Sequence, residues 1–226
     1  MLFPELEARV AEVRSRIKLA VERGGRGQTV TIVAVTKTHG PDAVMAAYEA
    51  GLADVGENRV QEAVAKIDAV SVPVRWHLIG HLQRNKVKSL DRFTLFHALD
   101  SARLADAVST FGVDRGKPVD ALVQVNVVGE ETKGGFSPAE LEGIMVKLTS
   151  LDGLKIRGVM TMARMGADEA ELRRTFSGAR DALEVVKRAG HPATDLSMGM
   201  SSDYEIAVEE GATMVRLGTT LFGTRD

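Results

Sequence analysis

Near its amino terminus the sequence reads Thr29-Val30-Thr31-Ile32-Val33-Ala34-Val35-Thr36-Lys37. The stretch up to Val35 is apolar or β-branched and lies between glycine-rich and Gly-Pro segments, which is typical of a strand buried on both faces of a parallel sheet. We therefore predict a first strand that ends just before a lysine.

Similar short apolar runs follow at regular intervals, with helical patterns between them. We predict seven further strands near 53–57, 74–80, 93–99, 120–127, 155–161, 194–198 and 213–218. Alternating strands and helices lead to a parallel sheet, and eight strands can close it into a barrel. The predicted fold is an α/β, (β/α)₈ TIM-type barrel with an extra N-terminal helix, and an open doubly wound sheet is the alternative.

The helix signals agree with this order. A stripe of apolar residues predicts an amphipathic helix before the first strand: Leu6, Val10, Val13, Ile17 and Val21. Pro41 and Gly51 mark the start and end of the next helix, and capping boxes are predicted at 137–140 and 202–205. The segment from Asp168 to Arg188 is predicted to be the longest helix.

Composition limits the class of protein. The chain has 226 residues, of which 44% are hydrophobic and 27% charged, so we expect one soluble domain over 1–226. A net charge of −2 gives no basic surface for nucleic acid or anionic membranes. The absence of cysteine fits a cytoplasmic location, and from the pattern of residues 1–23 we expect no signal peptide or membrane span. The loop 129–136 is expected to be the most mobile internal segment.

Chemistry in such a barrel lies at the carboxyl ends of the strands. Lys37 stands at the end of the first strand, where partial desolvation of its amine would lower the pKa and make it a nucleophile toward carbonyls. The alternative is a lysine that simply extends into solvent.

Polar residues also follow the second and third strands. Asn58 is a candidate ligand contact, or the cap of the next helix with Gln61 at the capping-box position. His81 is a candidate ligand, an acid/base group or an ordinary loop residue. The five histidines are scattered and no carboxylate pair has metal-ligand spacing, so we predict no metal site.

The last third of the chain predicts an anion site. The stretch Ser197-Met198-Gly199-Met200-Ser201-Ser202-Asp203 follows strand seven and brings small residues and hydroxyls to the start of a helix. Strand eight then ends in Arg216-Leu217-Gly218-Thr219, and barrels frequently bind phosphate with the loops after strands seven and eight. These residues predict a phosphorylated ligand, with capping serines and a glycine turn as the alternative.

Five stretches in the same order resemble the YggS-type pyridoxal phosphate homeostasis protein family across essentially the whole chain. They are Ala34-Val35-Thr36-Lys37, Gly56-Glu57-Asn58-Arg59-Val60-Gln61-Glu62, Trp76-His77-Leu78-Ile79-Gly80-His81-Leu82-Gln83-Arg84-Asn85-Lys86, Ser197-Met198-Gly199-Met200-Ser201-Ser202-Asp203 and Val215-Arg216-Leu217-Gly218. The resemblance implies a barrel like the N-terminal domain of alanine racemase, with pyridoxal 5′-phosphate (PLP) bound as a Schiff base to Lys37.

The resemblance also implies roles for the other site residues. Ser201, Gly218 and Thr219 would hold the phosphate, and Arg216 would face the pyridine nitrogen. Since an arginine does not give up its proton, that nitrogen would stay unprotonated and the ring would be a weak electron sink. Asn58 and His81 would lie near the ring or its 3-hydroxyl, and Met198 would pack nearby.

Three functions are compatible with a reactive lysine and a phosphate site. The resemblance implies a protein of PLP and amino-acid homeostasis, with apo-enzymes as possible recipients of the cofactor. An amino-acid racemase would need a second proton-transfer group on the opposite face of the ligand. In a barrel aldolase acting on a sugar phosphate, Lys37 would form the Schiff base with the substrate, but Arg216 would have no evident role.

The positions of the two tyrosines in the sequence argue against the racemase hypothesis. Alanine racemases take the second group, a tyrosine, from a β-domain after the barrel, whereas this sequence ends at Asp226, directly after strand eight. Tyr48 lies in the helix after strand one, and Tyr204 is expected to pack or lie on the surface. We therefore expect little or no racemase activity, with His81 as the one conceivable substitute, and a monomer, since the β-domain contacts are missing.

Overall fold

The predicted strands are present in the structure, a computed structural model that describes residues 3–130 and 134–223. Within these ranges eight parallel strands lie in sequence order, and β1 pairs with β8 to close the barrel. They are β1 (Thr31–Val35), β2 (Asp54–Glu57), β3 (Arg75–Leu78), β4 (Leu95–Leu99), β5 (Val119–Gln124), β6 (Leu154–Met160), β7 (Asp195–Ser197) and β8 (Met214–Leu217). The predicted TIM-type barrel is confirmed, and the open sheet is wrong.

Helices surround the strands and precede the first of them. The described helices are α1 (Leu6–Gly24), α2 (Pro41–Glu49), α3 (Val60–Ala69), α4 (Ala102–Asp114), α5 (Pro138–Thr149), α6 (Glu169–Arg188), α7 (Tyr204–Glu209) and α8 (Thr219–Phe222). A 3₁₀ helix, Arg84–Arg92, takes the place of an α-helix between β3 and β4.

The extra N-terminal helix α1 is confirmed. Its predicted apolar stripe faces inward, with Leu6, Val10, Val13 and Ile17 buried and Val21 packed against the core at its edge. The helix lies against α7 and α8, which follow the last two strands. Burial of this stripe therefore joins the start of the chain to its carboxyl-terminal part.

Most of the predicted helix boundaries agree with the structure. Pro41 is the first residue of α2, and Gly51, at a φ of 78°, follows its end. The capping box at 137–140 is present, and α6 is the longest helix among the described residues, with 20 residues. The box at 202–205 is wrong: α7 begins at Tyr204 without a side-chain cap, because the carboxylate of Asp203 accepts a hydrogen bond from the amide of Met200 (2.6 Å) and holds the preceding residues in a turn.

Part of the loop that was predicted to be mobile, 131–133, lies outside the described residues. The residues next to it are held by the end of β5: the amide of Phe136 donates to the carbonyl oxygen of Gln124 (2.9 Å), and Nδ2 of Asn126 donates to that of Glu130 (2.8 Å). Both flanks of the loop therefore stay close to the carboxyl end of the barrel.

The inside of the barrel is partly polar. Branched aliphatic side chains usually fill a TIM barrel, and here buried valines, leucines and isoleucines supply much of the core. Seven buried polar residues also belong to the strands, and hydrogen bonds join five of them: Asp54, His77, His97, Ser197 and Arg216. These five connect the two ends of the barrel.

Candidate functional site

A cavity of about 700 Å³ opens at the carboxyl ends of the strands. Pockets that hold small ligands commonly have this size. Seven of the predicted site residues line it: Lys37, Asn58, His81, Ser201, Arg216, Gly218 and Thr219. The strand ends thus bring together side chains that are far apart in sequence.

Lys37 is an exposed residue in a turn directly after β1. The amide of His39 donates to the carbonyl oxygen of Thr36 (3.0 Å), and Thr38 has a φ of 68°, a left-handed conformation that is uncommon for residues other than glycine. The amide of Thr38 donates to Oε1 of Glu62. The backbone on both sides of Lys37 is therefore anchored.

A buried lysine supports this turn from below. Nζ of Lys66 donates to the carbonyl oxygen of Thr36 (2.7 Å), to Oε1 of Glu57 (2.7 Å) and to Oε1 of Glu62 (2.8 Å). Burial raises the pKa of Glu57, and hydrogen bonds from Lys66 and Thr36 partly oppose that rise. The cluster ties the end of β1 to β2 and α3.

The loops after β7 and β8 meet at Ser201. The amides of Gly218 and Thr220 both donate to Oγ of Ser201, at 3.3 Å and 3.2 Å. Gly218 caps the start of α8. Hydroxyls and backbone amides at a helix start favour an anion, so the chemistry of this donor set fits a phosphate group.

Arg216 forms one wall of the cavity and is itself buried. Its Nη1 donates to Oγ of Ser197 (2.6 Å), and its Nη2 donates to the carbonyl oxygen of Thr161 (2.9 Å). Burial lowers its pKa to about 10, so the guanidinium stays protonated at neutral pH. Since a guanidinium has five N–H donors, others remain for a ligand.

His81 and Asp100 form a pair at the rim. Nδ1 of His81 lies 2.8 Å from Oδ2 of Asp100, and the His81 side chain is 69% exposed. Both residues line the cavity. The carboxylate therefore orients an imidazole that solvent and a ligand can both reach.

The structure separates the two alternatives for Asn58. The N-cap of α3 is Arg59, without a side-chain cap, so Asn58 does not cap the helix and lines the cavity instead. Met198 is fully buried and is absent from the cavity lining, where Met200 occurs. Its predicted contact with a cofactor stays a prediction.

Several residues of the cavity were not singled out from the sequence. Asp100, Gln124 and Met162 line it at the ends of β4, β5 and β6. Reading every predicted strand end for polar residues would have found Asp100 and Gln124. Met162 carries no such signal, because methionine both fills gaps in cores and lines binding surfaces.

Tyr204 does not line this cavity. The residue is buried at the start of α7, and together with Arg16 of α1 it borders a neighbouring cavity of about 390 Å³. Burial, the largest effect, raises the pKa of its hydroxyl. A proton-transfer role in the cavity would need a hydroxyl that reaches it.

Residues 3–130 and 134–223 show neither a metal-binding cluster nor a membrane-spanning helix. No group of three or more His, Cys, Asp or Glu side chains there is arranged to hold a metal ion. None of the helices in these ranges combines the length and apolarity that a membrane crossing requires.

Comparison with known proteins identifies the family. A family model described as the N-terminal domain of alanine racemase matches residues 9–226. The pyridoxal phosphate homeostasis protein of Aquifex aeolicus (strain VF5) is 40% identical over 221 residues, which cover 96% of this chain and 97% of the relative. That of Escherichia coli (strain K12) is 36% identical over 226 residues, covering 96% and 95%. The chain belongs to the pyridoxal phosphate homeostasis protein family.

Solved structures agree with this assignment. PipY of Synechococcus elongatus PCC7942 with PLP bound is 36% identical, has a TM-score of 0.85, and is matched over 96% of this chain and 100% of that chain. Alanine racemase from Corynebacterium glutamicum is 14% identical with a TM-score of 0.72, over 93% of this chain and 60% of that chain, and shares the fold. The homeostasis family predicted from the motifs is therefore confirmed.

Proposed function

We propose that this chain binds pyridoxal 5′-phosphate as a Schiff base on Lys37 and takes part in intracellular PLP and amino-acid homeostasis. One observation carries the proposal: Lys37, the Ser201–Gly218 junction and Arg216 line a single cavity at the carboxyl ends of the strands. A primary amine, an anion site and a cation are the three groups that an aldehyde-bearing, phosphorylated pyridine needs. The homeostasis family and the PLP-bound PipY structure support the cofactor.

The phosphate would lie between the loops after β7 and β8. Ser201, Gly218 and Thr219 supply a hydroxyl and backbone amides there, and neutral donors of this kind bind phosphate at helix starts. Ser201 also joins the two loops, so the site is partly organised before a ligand arrives.

Arg216 would face the pyridine nitrogen. A protonated guanidinium can only donate a hydrogen bond, so it favours an unprotonated ring nitrogen. PLP supplies an electron sink when it is bound, and this pairing weakens that sink. The residue therefore suits a protein that holds PLP better than one that drives carbanion chemistry.

The racemase alternative needs a second proton-transfer group in the cavity wall, where His81 is the candidate in place of a tyrosine. Tyr204 is buried beside α1 and does not line the cavity. His81 lines it, but its imidazole is paired with Asp100 at the rim. We propose that racemase activity is weak or absent.

The remaining expectations are proposals of the same kind. A reversible Schiff base would let the protein release PLP to apo-enzymes in the cytoplasm. Residues 1–226 would form one domain that acts as a monomer, without a metal ion and without nucleic-acid or membrane partners.

An absorbance titration with PLP tests the proposal. The unaltered protein should develop a band near the visible edge, and Lys37→Ala should not. Lys88→Ala, at an exposed position on the 3₁₀ helix, is the matched control and should behave like the unaltered protein. Without a band in the unaltered protein the PLP proposal fails, and a substrate-derived Schiff base of the aldolase type becomes the better account.

A further inference from the structure

A chain of hydrogen-bonded side chains runs through the barrel from the candidate site to the other end. Nη1 of Arg216 lies 2.6 Å from Oγ of Ser197, which lies 2.9 Å from Nδ1 of His97. Nε2 of His97 lies 2.9 Å from Nδ1 of His77. Nε2 of His77 lies 2.9 Å from Oδ1 of Asp54, the first residue of β2.

Such a series of hydrogen-bonded side chains is unusual for the interior of a barrel. Its members belong to β8, β7, β4, β3 and β2, and all five residues are buried. Burying a polar group is costly unless it is hydrogen-bonded, and branched aliphatic residues normally occupy such positions. At the far end, Asp54 borders a separate cavity of about 560 Å³ beneath α1, where Nε of Arg75 donates to its Oδ1 (2.7 Å).

Arg216 and Asp54, at the two ends, determine the direction in which the hydrogen bonds between them are donated. Arg216 can only donate, because a guanidinium has no acceptor. Burial by itself raises the pKa of Asp54, but hydrogen bonds from His77 and Arg75 outweigh it and leave the pKa below the ordinary value, so the carboxylate only accepts. Burial, with a further contribution from the positive charge of Arg216, lowers the pKa of His97 well below its ordinary value, so this imidazole is neutral.

The hydrogen positions between the ends follow from these constraints. Since Asp54 accepts, Nε2 of His77 carries a hydrogen. Ser197 accepts from Arg216, and its own hydroxyl hydrogen has an acceptor in Nδ1 of His97. The single hydrogen of neutral His97 is then on Nε2 and points to Nδ1 of His77.

The reverse arrangement is less favourable. If Nδ1 of His97 donated to Ser197, the serine hydroxyl would accept twice, and its hydrogen would have no acceptor among the described residues. His77 would also have to be a buried cation, donating from both ring nitrogens. Unsatisfied buried donors and unpaired buried charges are both costly.

We propose that Ser197, His97, His77 and Asp54 form a one-way hydrogen-bond relay that positions Arg216 at the candidate site. The charge of Asp203 acts directly on Arg216, and the relay connects the guanidinium with a second carboxylate, Asp54, at the far end of the barrel. Successive hydrogen bonds of one direction polarise one another. The relay therefore holds the guanidinium in place and makes Oγ of Ser197 a stronger hydrogen-bond acceptor for it. Its role toward PLP rests on the proposed function.

The direction of the relay can be measured without ligand and without replacing any of its members. Long-range ¹H–¹⁵N spectra of the unliganded protein distinguish the two imidazole tautomers, and single His→Gln replacements at 39, 81 and 191 assign the remaining signals. His77 and His97 should both be neutral with the hydrogen on Nε2. A hydrogen on Nδ1 of His97, or a cationic His77, would overturn the relay.

Substitutions at both ends test its effect on the candidate site. Ser197→Ala removes the link next to Arg216 and should weaken PLP binding by roughly fivefold, the effect of one hydrogen bond of about 1 kcal/mol. Ser197→Thr keeps the hydroxyl and should restore binding. Asp54→Asn, remote from the ligand, should weaken binding in the same direction and shift the absorption maximum.

Asp195→Asn is the matched control for the remote substitution, because Asp195 also starts a strand and interacts with His77 through its charge, but makes no hydrogen bond to either relay histidine. If Ser197→Ala and Asp54→Asn fold and leave both PLP binding and the absorption maximum unchanged, the relay does not position Arg216. If the unaltered protein takes up no PLP, the proposed function fails instead, while the tautomers still decide the relay. The tautomers of His77 and His97 in the unaltered protein also decide the direction of the relay if a substituted protein is unstable.

Discussion

Nζ of Lys66 lies 2.7 Å from the carbonyl oxygen of Thr36, the residue directly before Lys37. The same ammonium group bonds Glu57 of β2 and Glu62 of α3, and Glu62 in turn accepts the amide of Thr38. A buried ion cluster thus determines where the turn with Lys37 lies. The reactive side chain is exposed, but its backbone is not loosely held.

Lys66→Met should therefore destabilise the fold and weaken PLP binding together. The substitution leaves Glu57 buried without its cation, and breaking a buried pair in this way costs about 3–5 kcal/mol. Chemical denaturation measures the free energy of unfolding, and Lys88→Met at an exposed position is the control. A folded Lys66→Met protein of unaltered stability would contradict the role of the cluster.

Ser201→Ala should weaken PLP binding by roughly 10- to 100-fold, since hydrogen bonds to charged groups contribute about 1.5–3 kcal/mol. Pyridoxal, which carries the aldehyde but no phosphate, should bind the variant and the unaltered protein equally. Parallel titrations with the two ligands give the comparison. Equal losses for both ligands would show that Ser201 acts on the shape of the site and not on the phosphate.

The stability contributed by Asp54 should depend on pH. Its pKa in the folded protein is lower than the ordinary value of 3.8, so the ionised form is favoured by folding. This stability is present above pH 3.8 and is lost as the pH falls through the folded pKa. The difference in unfolding free energy between the unaltered protein and Asp54→Asn should shrink with acidification; a difference that grows would contradict the hydrogen bonds assigned to this carboxylate.

Tyr204→Phe should leave PLP binding unchanged, because the residue does not line the cavity. Proton exchange at Cα of alanine in D₂O, followed by NMR, should proceed no faster with the PLP-loaded protein than with PLP alone. Rapid exchange that Tyr204→Phe abolishes would favour the racemase hypothesis.

The sequence was sufficient to predict the strand order, because each strand is a short apolar run between helix signals. Lys37, Ser201 and Gly218 could be predicted as site residues for a related reason: residues that directly follow barrel strands share one end of the molecule. Helix starts were harder. Asn58 and the box at 202–205 carry capping residues, but α3 begins after Arg59 and α7 after Asp203, both without a side-chain cap.

The relay was beyond sequence reasoning. His97 and Ser197 are 100 residues apart, and their contact depends on how strands β4 and β7 face each other across the barrel. Nothing in the local sequence of either residue distinguishes an inward from an outward side chain, because strands of a parallel barrel are buried on both faces.

The most direct test of the account is to reduce the PLP-treated protein with borohydride and to locate the adduct by mass spectrometry of its peptides. We predict a reduced pyridoxyl adduct on Lys37, with none on Lys66, which is buried and ion-paired, and none in Lys37→Ala. An adduct on another lysine, or no adduct at all, would contradict the assignment of Lys37 as the residue that holds the cofactor.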